Sequence, residues 1–403
     1  MISRVFLALL FCGACGGGGA PRAEAPRPTT TPVRVELVES APLETTLDHP
    51  DIANASDVWV TMIDSATRTL DFAEFYASEI EEGEAGTSLL SPVIAAIERA
   101  ARQRHVTVRF LADAMFAKKY PRTLARLKAA GVSLFEVDVQ ARTGGVLHAK
   151  YFVVDGAEAF VGSQNFDWRS LSHIQEMGVR IASTEIAQEL LAIFETDWAI
   201  ARGVPFTSRQ LPTKSVPTAS GETLTLVATP KGLLPDESTW ELPRITSAID
   251  EAKRSIDVQV LSYKTTSRDG SPFPTLDDAL RRALGRGVRV RLLVADWSAK
   301  EGSPGRAALT SLAQVPGATV RVITIPPWSG GNVAYARVAH AKYMVIDAGE
   351  PAGARAWVGS SNWEGDYFTR SRNVGVIASQ GALARRLDHV FEDGFSSAYA
   401  KPL

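Results

Sequence analysis

The chain has 403 residues, of which 45% are hydrophobic and 22% are charged, a composition typical of a globular protein. That length suffices for two ordinary domains or for one large body with a generous core. The formal net charge of −2 excludes an overall positive charge that would attract nucleic acid or membranes. A local cluster of residues must therefore bind any anionic substrate.

The N-terminal segment predicts export rather than folded structure. Residues 1–15 have a basic start, an apolar stretch and small residues, and the Gly-, Pro- and Thr-rich residues 16–42 indicate a flexible linker. Gly-Ala-Cys, ending at Cys15, resembles the lipobox of bacterial lipoproteins, which implies a lipidated Cys15 in the cell envelope. A plainly cleaved signal and a secreted protein are the alternative. Both cysteines lie here, which excludes a cysteine nucleophile, a cysteine metal site and an internal disulfide from the globular part.

The rest of the chain alternates amphipathic helical patterns with short β-type runs. One helix is predicted to stop at Gly131, and another covers 184–201. Strands rich in β-branched and aromatic residues are predicted at 69–76, 106–111, 146–156 and 158–166.

The same order of elements recurs in the second part of the chain. "TLDDALRRALGRGVRVRLLVAD", for example, corresponds to "SPVIAAIERAARQRHVTVRFLAD". We therefore predict a first half at 43–205, a joint at 206–222 and a second half at 223–403, each half a mixed sheet packed between helices. Duplication preserved only for packing is the alternative, but packing does not require the polar residues that both copies keep.

Those polar residues form one motif written twice. The first copy contains His148, Lys150, Asp155, Ser163 and Asn165, and the second contains His340, Lys342, Asp347, Ser360 and Asn362. One His-x-Lys pair is weak evidence, because a structural histidine beside a surface lysine is common. The full pattern at corresponding positions of a duplicated unit is strong evidence for a shared reaction centre.

Two histidines, two lysines and two asparagines suit the chemistry of a phosphodiester. One neutral imidazole can attack phosphorus and form a phosphohistidine, while the other, protonated, donates to the leaving oxygen. The lysines and asparagines would hold the non-bridging oxygens. Because two ammonium groups supply positive potential, we expect neither a metal nor another cofactor, and the sequence has no His-Glu-x-x-His motif.

The motif resembles the signature of the phospholipase D superfamily, H-x-K-x4-D-x6-G-S-x-N, at every fixed position of residues 148–165. In the second copy the segment between Asp347 and Gly359 is longer, which we expect to lengthen a hairpin turn. The resemblance covers about residues 43–400. It implies a duplicated α/β sandwich whose halves are related by a pseudo-two-fold axis, with one active site at their interface.

Within that superfamily, "NFDWRSL" and "SNWEGDYF" look most like the endolysosomal 5′-exonuclease branch, which degrades single-stranded DNA and RNA. The resemblance implies a metal-independent phosphodiesterase with that activity. A phospholipase D or transphosphatidylase acting on phospholipid head groups is the alternative, and a binding protein without catalysis is a third. No obligate protein partner is indicated.

The resemblance also implies roles for single residues. His148 and His340 would be the nucleophile and the general acid, and Glu176 occupies the place of the carboxylate that orients one histidine. Asn373 stands at the matching place of the second half. Because an acidic partner holds the attacking tautomer, we expect Glu176 to favour His148 as the nucleophile.

The remaining candidates concern substrate binding and structure. Asp155 and Asp347 are expected to be structural. For the aromatic side chains after the two asparagines, a place in the core is the first interpretation, followed by stacking on bases and then by lipid contact. The predicted substrate-binding residues are Ser163, Ser360, Trp168, Trp363 and Tyr367.

Overall fold

The computed structural model describes residues 33–80, 86–205, 215–350 and 352–403. The predicted export signal and Cys15 lie outside the described residues and stay predictions. Within the described ranges, no helix is long and apolar enough to cross a membrane.

The first half begins with a strand and ends with a long helix. Its strands are β1 (Arg34–Ser40), β2 (Ala53–Asn54), β3 (Thr69–Glu74), β4 (Ala77–Ser78), β5 (Thr107–Asp113), β6 (Ser133–Val137), β7 (Lys150–Val154), β8 (Glu158–Gly162), β9 (Phe166–Asp167) and β10 (Ile174–Ala182). Its helices are α1 (Ala55–Ser65), α2 (Leu90–Arg102), α3 (Ala114–Lys119), α4 (Pro121–Ala129), α5 (Gln140–Thr143), α6 (Trp168–Ser172) and α7 (Thr184–Ala201). As predicted, α4 ends before Gly131, whose φ of 93° no other residue type adopts easily.

The second half repeats this plan. Its strands are β11 (Val216–Pro217), β12 (Thr223–Thr229), β13 (Ser255–Val260), β14 (Arg289–Ala295), β15 (Ala318–Ile323), β16 (Val338–Ala339), β17 (Tyr343–Ile346), β18 (Arg355–Gly359), β19 (Asn373–Ser379) and β20 (Ala400–Pro402). Its helices are α8 (Glu241–Glu251), α9 (Thr275–Gly285), α10 (Pro304–Ala313), α11 (Gly365–Thr369) and α12 (Ala382–Ser396), with a short 3₁₀ turn at Glu237–Thr239.

The two large sheets have corresponding strand orders. The first runs β2-β1-β10-β8-β7-β3-β5-β6, and the second runs β11-β12-β19-β18-β17-β13-β14-β15-β20. Each is mixed, because β3 pairs with β5 in parallel and with β7 antiparallel, as β13 does with β14 and β17. The predicted α/β class with a duplicated unit is confirmed.

The central core lies between the two sheets. Tyr151 and Val153 of β7 belong to the same buried cluster as Tyr343 and Val345 of β17, together with the apolar faces of α7 and α12. The alternate residues of each strand pack outwards into a separate cluster of their own half. This period-two division, which follows from strand geometry, produces the layers of the sandwich.

Two short pairings cross between the halves at the strands that carry the motifs. β16 runs parallel to the start of β10, with Gln175 opposite Ala339, and Leu147 forms a parallel bridge with Arg372. Each motif histidine therefore follows directly after a residue that is bonded to the other half.

The predicted linker boundary is wrong for its last part. β1 pairs with β10 along its whole length, from Arg34 opposite Ala182 to Ser40 opposite Glu176. Its alternation of apolar and charged residues, with Val38 fully buried, was the overlooked signal. In the second half, β17 and β18 form an antiparallel hairpin, and the longer segment after Asp347 forms its turn as predicted.

Candidate active site

Each motif histidine lies just outside the strand that follows it. His148 precedes β7, which begins at Lys150, and His340 lies between β16 and β17 with Lys342. Both lysines are fully buried, and the histidines are only 4% and 8% exposed. The backbone N–H of His148 donates to the carbonyl of Arg372, and that of His340 donates to the carbonyl of Gln175, both at 2.8 Å. These bonds bring the two histidines to the interface of the halves.

The Glu176 carboxylate orients one histidine. Its Oε2 lies 2.7 Å from Nδ1 of His340. The hydroxyls of Ser163 and Ser170 donate to the same carboxylate at 2.6 and 2.8 Å. Burial raises the Glu176 pKa, but the facing His340 and Lys342 outweigh burial and leave the pKa below its ordinary value. An ionised carboxylate accepts the Nδ1 proton, which leaves Nε2 of His340 with its lone pair free.

The expectation that Glu176 serves the histidine of its own half is therefore wrong. The physical reason is the parallel pairing of β10 with β16, in which Gln175 lies opposite Ala339. The next residues along the chain are Glu176 and His340, which therefore meet. Because an acidic partner holds the attacking tautomer, the contact with Glu176 favours His340, and not His148, as the nucleophile.

His148 has an amide in the equivalent place. Its Nδ1 lies 2.9 Å from Oδ1 of Asn373, which also accepts from the Ser360 hydroxyl at 3.1 Å. The Asn373 Nδ2 donates to the carbonyl of Tyr367 at 2.7 Å and to the Thr229 hydroxyl at 3.2 Å, which fixes Oδ1 toward the histidine. His148 is thus held in the same tautomer by a neutral partner.

The histidines and lysines of the site are buried close to one another, and burial shifts their pKa values downwards. Burial and the charges of Lys150 and Lys342 hold the pKa of His148 well below its ordinary value. Burial lowers the pKa of His340 to about 4 and that of Lys342 to about 7, although Glu176 opposes both shifts. The pKa of Lys150 is lowered by burial and then by Lys342. Because these shifts reflect cations removed from water, a bound anion would reverse them.

The lysines and asparagines keep polar groups available beside the histidines. Lys150 Nζ donates to the carbonyl of His148 at 2.6 Å, and Lys342 Nζ donates to that of His340. An ammonium group has three protons, so each lysine retains capacity for an anion. The Oδ1 atoms of Asn165 and Asn362 are buried without a partner among the described residues. Because an amide oxygen only accepts hydrogen bonds, an anion would have to be bound by the Nδ2 groups of these asparagines.

Four predicted substrate-binding residues serve the fold instead. The hydroxyls of Ser163 and Ser360 are committed to Glu176 and Asn373, and both serines are fully buried. Trp168 and Trp363 are each 1% exposed and belong to the outer hydrophobic clusters. They follow the motif asparagines in sequence, but β9 and the bridge at Trp363 direct them into the cores.

Tyr367 does lie at the site, and two phenylalanines join it. The centroid of the Tyr367 ring lies 4.8 Å from that of the His148 ring, and the centroid of the Phe75 ring lies 5.0 Å from it. Phe116 packs on Phe75 at 3.9 Å between centroids. Sequence analysis missed both phenylalanines. Phe75 directly follows β3, in "FAEFY", and its position after a buried strand was the available signal.

Asp155 and Asp347 lie in the turns after the motif strands β7 and β17, and their carboxylates bind the backbone at the start of the neighbouring strands β3 and β13. The Asp155 carboxylate accepts from the backbone N–H groups of Thr67, Arg68 and Thr69. The Asp347 carboxylate does the same for residues 253–255. Both aspartates adopt positive φ, 52° and 49°, so the two halves repeat this turn in detail.

The described residues contain no group of three or more His, Cys, Asp or Glu side chains arranged to hold a metal ion. The two histidines and the two lysines therefore form one two-histidine site, to which both halves of the α/β sandwich contribute.

Comparison with known proteins identifies the family. A family profile described as "PLD3/4, PLD-like domain" matches residues 52–320. The 5′-3′ exonuclease PLD3 of Homo sapiens is 30% identical over 415 residues, which cover 94% of this chain and 82% of that protein. The 5′-3′ exonuclease PLD4 of Mus musculus is 31% identical over 418 residues, with coverage of 91% and 79%. The chain belongs to the PLD3/4 family of the phospholipase D superfamily.

Solved structures show the same fold at low sequence identity. Phosphatidylserine synthase of Haemophilus influenzae matches with a TM-score of 0.59 at 14% identity, covering 86% of this chain and 85% of that one. Polyphosphate kinase of Porphyromonas gingivalis matches with a TM-score of 0.55 at 13% identity, covering 90% of this chain and 51% of that one.

Proposed function

We propose that this protein is a phosphodiesterase that acts through a phosphohistidine and removes nucleotides from the 5′ end of single-stranded DNA or RNA. The observation that carries the proposal is the pair of buried histidines, one from each half. Both have Nδ1 bonded to an acceptor, which leaves Nε2 of each ring for the reaction, and the two rings are close enough for the charge of one to act on the other.

His340 is the nucleophile in this proposal. Its Nε2 lone pair attacks phosphorus, and the charge that the imidazole gains is stabilised by Glu176 at 2.7 Å. As the N–P bond forms, the P–O bond to the leaving nucleotide breaks. His148, whose partner is a neutral amide, is the stronger acid once protonated, and it gives its Nε2 proton to the leaving oxygen.

Hydrolysis of the intermediate uses the same groups in reverse. His148, now neutral, accepts a proton from water as the water oxygen attacks phosphorus. The N–P bond breaks, and His340 returns to its neutral form. In this proposal the ammonium groups of Lys150 and Lys342 and the side-chain amides of Asn165 and Asn362 bind the non-bridging oxygens through both steps.

The substrate class is supported by the relatives and by the aromatic rings at the site. The curated relatives are named as 5′-3′ exonucleases. Phe75 and Tyr367 contact His148 from two sides, and aromatic rings stack on unpaired bases of any sequence. Lys119 Nζ lies 4.9 Å from the centroid of the exposed Tyr335 ring and 5.3 Å from that of the Tyr120 ring. A surface of aromatic rings with a cation therefore extends from the site toward solvent.

The test uses the full chain in EDTA with a single-stranded oligonucleotide that has a 5′ hydroxyl and a 3′ label. We expect stepwise shortening from the 5′ end, lost in His340→Ala and in His148→Ala. Intact oligonucleotide beside hydrolysed phosphatidylcholine or phosphatidylglycerol would instead support the lipid alternative.

We further infer that the protein is exported through residues 1–15 and attached to a membrane by lipid on Cys15. The basic, apolar and small-residue succession supports the signal, and Gly-Ala-Cys supports the attachment. In cells that make the protein, Cys15→Ser should move it from the membrane fraction to the soluble fraction. Wild-type protein without a lipid mass on Cys15 would contradict the inference.

A further inference from the structure

Glu74 is a buried carboxylate beside the site that the mechanism above does not use. It is the last residue of β3 and lies directly opposite Lys150 in the antiparallel pairing with β7. Residues in such positions have Cβ atoms about 5 Å apart and share one face of the sheet. Glu74 is 1% exposed, and its Oε2 has no hydrogen-bond partner among the described residues. A carboxyl group removed from water in this way either takes up a proton or pairs with a cation, and the Lys150 ammonium is the cation directly opposite.

The matching position of the second half, which the structure describes, has an apolar residue instead. In the pairing of β13 with β17, Gln259 lies opposite Tyr343, as Ala73 lies opposite Tyr151 in the first half. One step further along, Val260 takes the place of Glu74. The duplicated site is therefore asymmetric in charge, because one lysine has a second carboxylate beside it and the other does not.

The groups that face Lys150 make this asymmetry relevant to substrate binding. Its ammonium faces the Lys342 charge, which disfavours protonation, and the carboxylates of Glu176 and Glu74, which favour it. It also contacts the carbonyl of His148, and lies 5.1 Å from the Phe75 ring. Glu176 is already bonded to Nδ1 of His340 and to two serine hydroxyls, whereas Oε2 of Glu74 has no hydrogen-bond partner among the described residues.

We propose that Glu74 is a positioning residue that keeps Lys150 protonated and thereby holds the oxyanion-binding charge of the first half. The proposal rests on the proposed role of Lys150 in binding the phosphodiester. Burial raises the pKa of Glu74 and lowers that of Lys150, and each group opposes the shift of the other. If the Glu74 carboxylate is removed, burial and Lys342 still lower the pKa of Lys150, and the opposing contribution of Glu74 is lost.

The experiment measures the affinity of the full-length protein for inorganic sulfate by calorimetry from about pH 5 to about pH 10, where sulfate keeps a constant charge. The variants are Glu74→Gln, Glu74→Asp and, as a matched control, Asp71→Asn. Asp71 is a buried carboxylate on the same strand, but it binds Arg109, at 2.5 Å. If Glu74→Gln does not fold, Glu74→Leu, which also removes the charge, replaces it.

With rising pH, we expect Glu74→Gln to lose its affinity for sulfate at a pH about one unit or more below the pH at which the wild type loses it. The reason is that an opposite charge at this range shifts the pKa of a group such as Lys150 by about 1–3 units. Glu74→Asp and Asp71→Asn should follow the wild type. Coincident profiles for Glu74→Gln and wild type would overturn the proposal, and so would a wild type that binds no sulfate. Protein that behaves as expected here but leaves oligonucleotides intact would refute the exonuclease activity alone.

Discussion

Replacing Glu176 by glutamine tests how much the carboxylate contributes to the proposed attack by His340. Glutamine can still accept the Nδ1 proton at the position of Oε2, 2.7 Å away, so only the charge is removed. Two unit charges about 4 Å apart interact by about 4 kcal/mol at an effective dielectric constant of about 20. Because part of that interaction already exists before the attack, we expect a loss of about 2–4 kcal/mol, or about 30- to 1000-fold in rate.

The assay is single-turnover cleavage of a 3′-fluorescent oligonucleotide with protein in excess, stopped by rapid quenching. Ser170→Ala is the matched control, since it removes a 2.8 Å hydrogen bond to the same carboxylate and keeps the charge. Unchanged thermal unfolding would show that both variants fold. A Glu176→Gln rate no lower than that of Ser170→Ala would refute the reasoning.

Four further predictions follow from the structure. Arg372→Leu leaves the buried Asp197 carboxylate, 2.8 Å from the guanidinium, without its cation and should cost about 3–5 kcal/mol in urea unfolding; a loss under about 1 kcal/mol would contradict this. The hydrogen bond to Glu39 raises the pKa of His49, so its stabilisation is complete below about pH 6.5 and is lost as the pH rises through the folded-state pKa. The Tm advantage of wild type over His49→Gln should therefore shrink on going from about pH 6 to about pH 9, and a constant difference would disagree. Asp347→Ala should cost about 1–3 kcal/mol of stability by removing an acceptor of backbone N–H groups, with kcat nearly unchanged; a selective loss of kcat would indicate a chemical role. Dialysis against EDTA should leave the rate of oligonucleotide cleavage unchanged, and restoration of lost activity by added Mg²⁺ would contradict a metal-independent site.

The fold was predictable because its signals are local and repeated. Strand alternation places Tyr151 and Tyr343 on the inner face, and the same spacing in both copies brings His148 and His340 to corresponding positions. Stop signals such as Gly131 act within a few residues, so they are visible in the chain itself.

The partners of the histidines were not predictable in this way. Glu176 belongs to the first half in sequence, but β10 pairs with β16, and the carboxylate meets His340. Trp168 follows a motif asparagine, and only the path of the backbone after Asn165 shows that the indole enters the core. The position of Glu74 opposite Lys150 depends on the register between β3 and β7, and two strands that are buried on both faces show no alternation from which to predict it.

The central claim is a phosphohistidine on a site shared by the two halves. The most direct test traps that intermediate by acid-free denaturation within one turnover, using an oligonucleotide with radioactive phosphorus at its first internucleotide linkage. We predict label on the peptide that contains His340, in an acid-labile and alkali-stable bond, and none in His340→Ala. Label on His148 would contradict the assignment of the nucleophile, and turnover without any labelled protein would contradict the covalent mechanism.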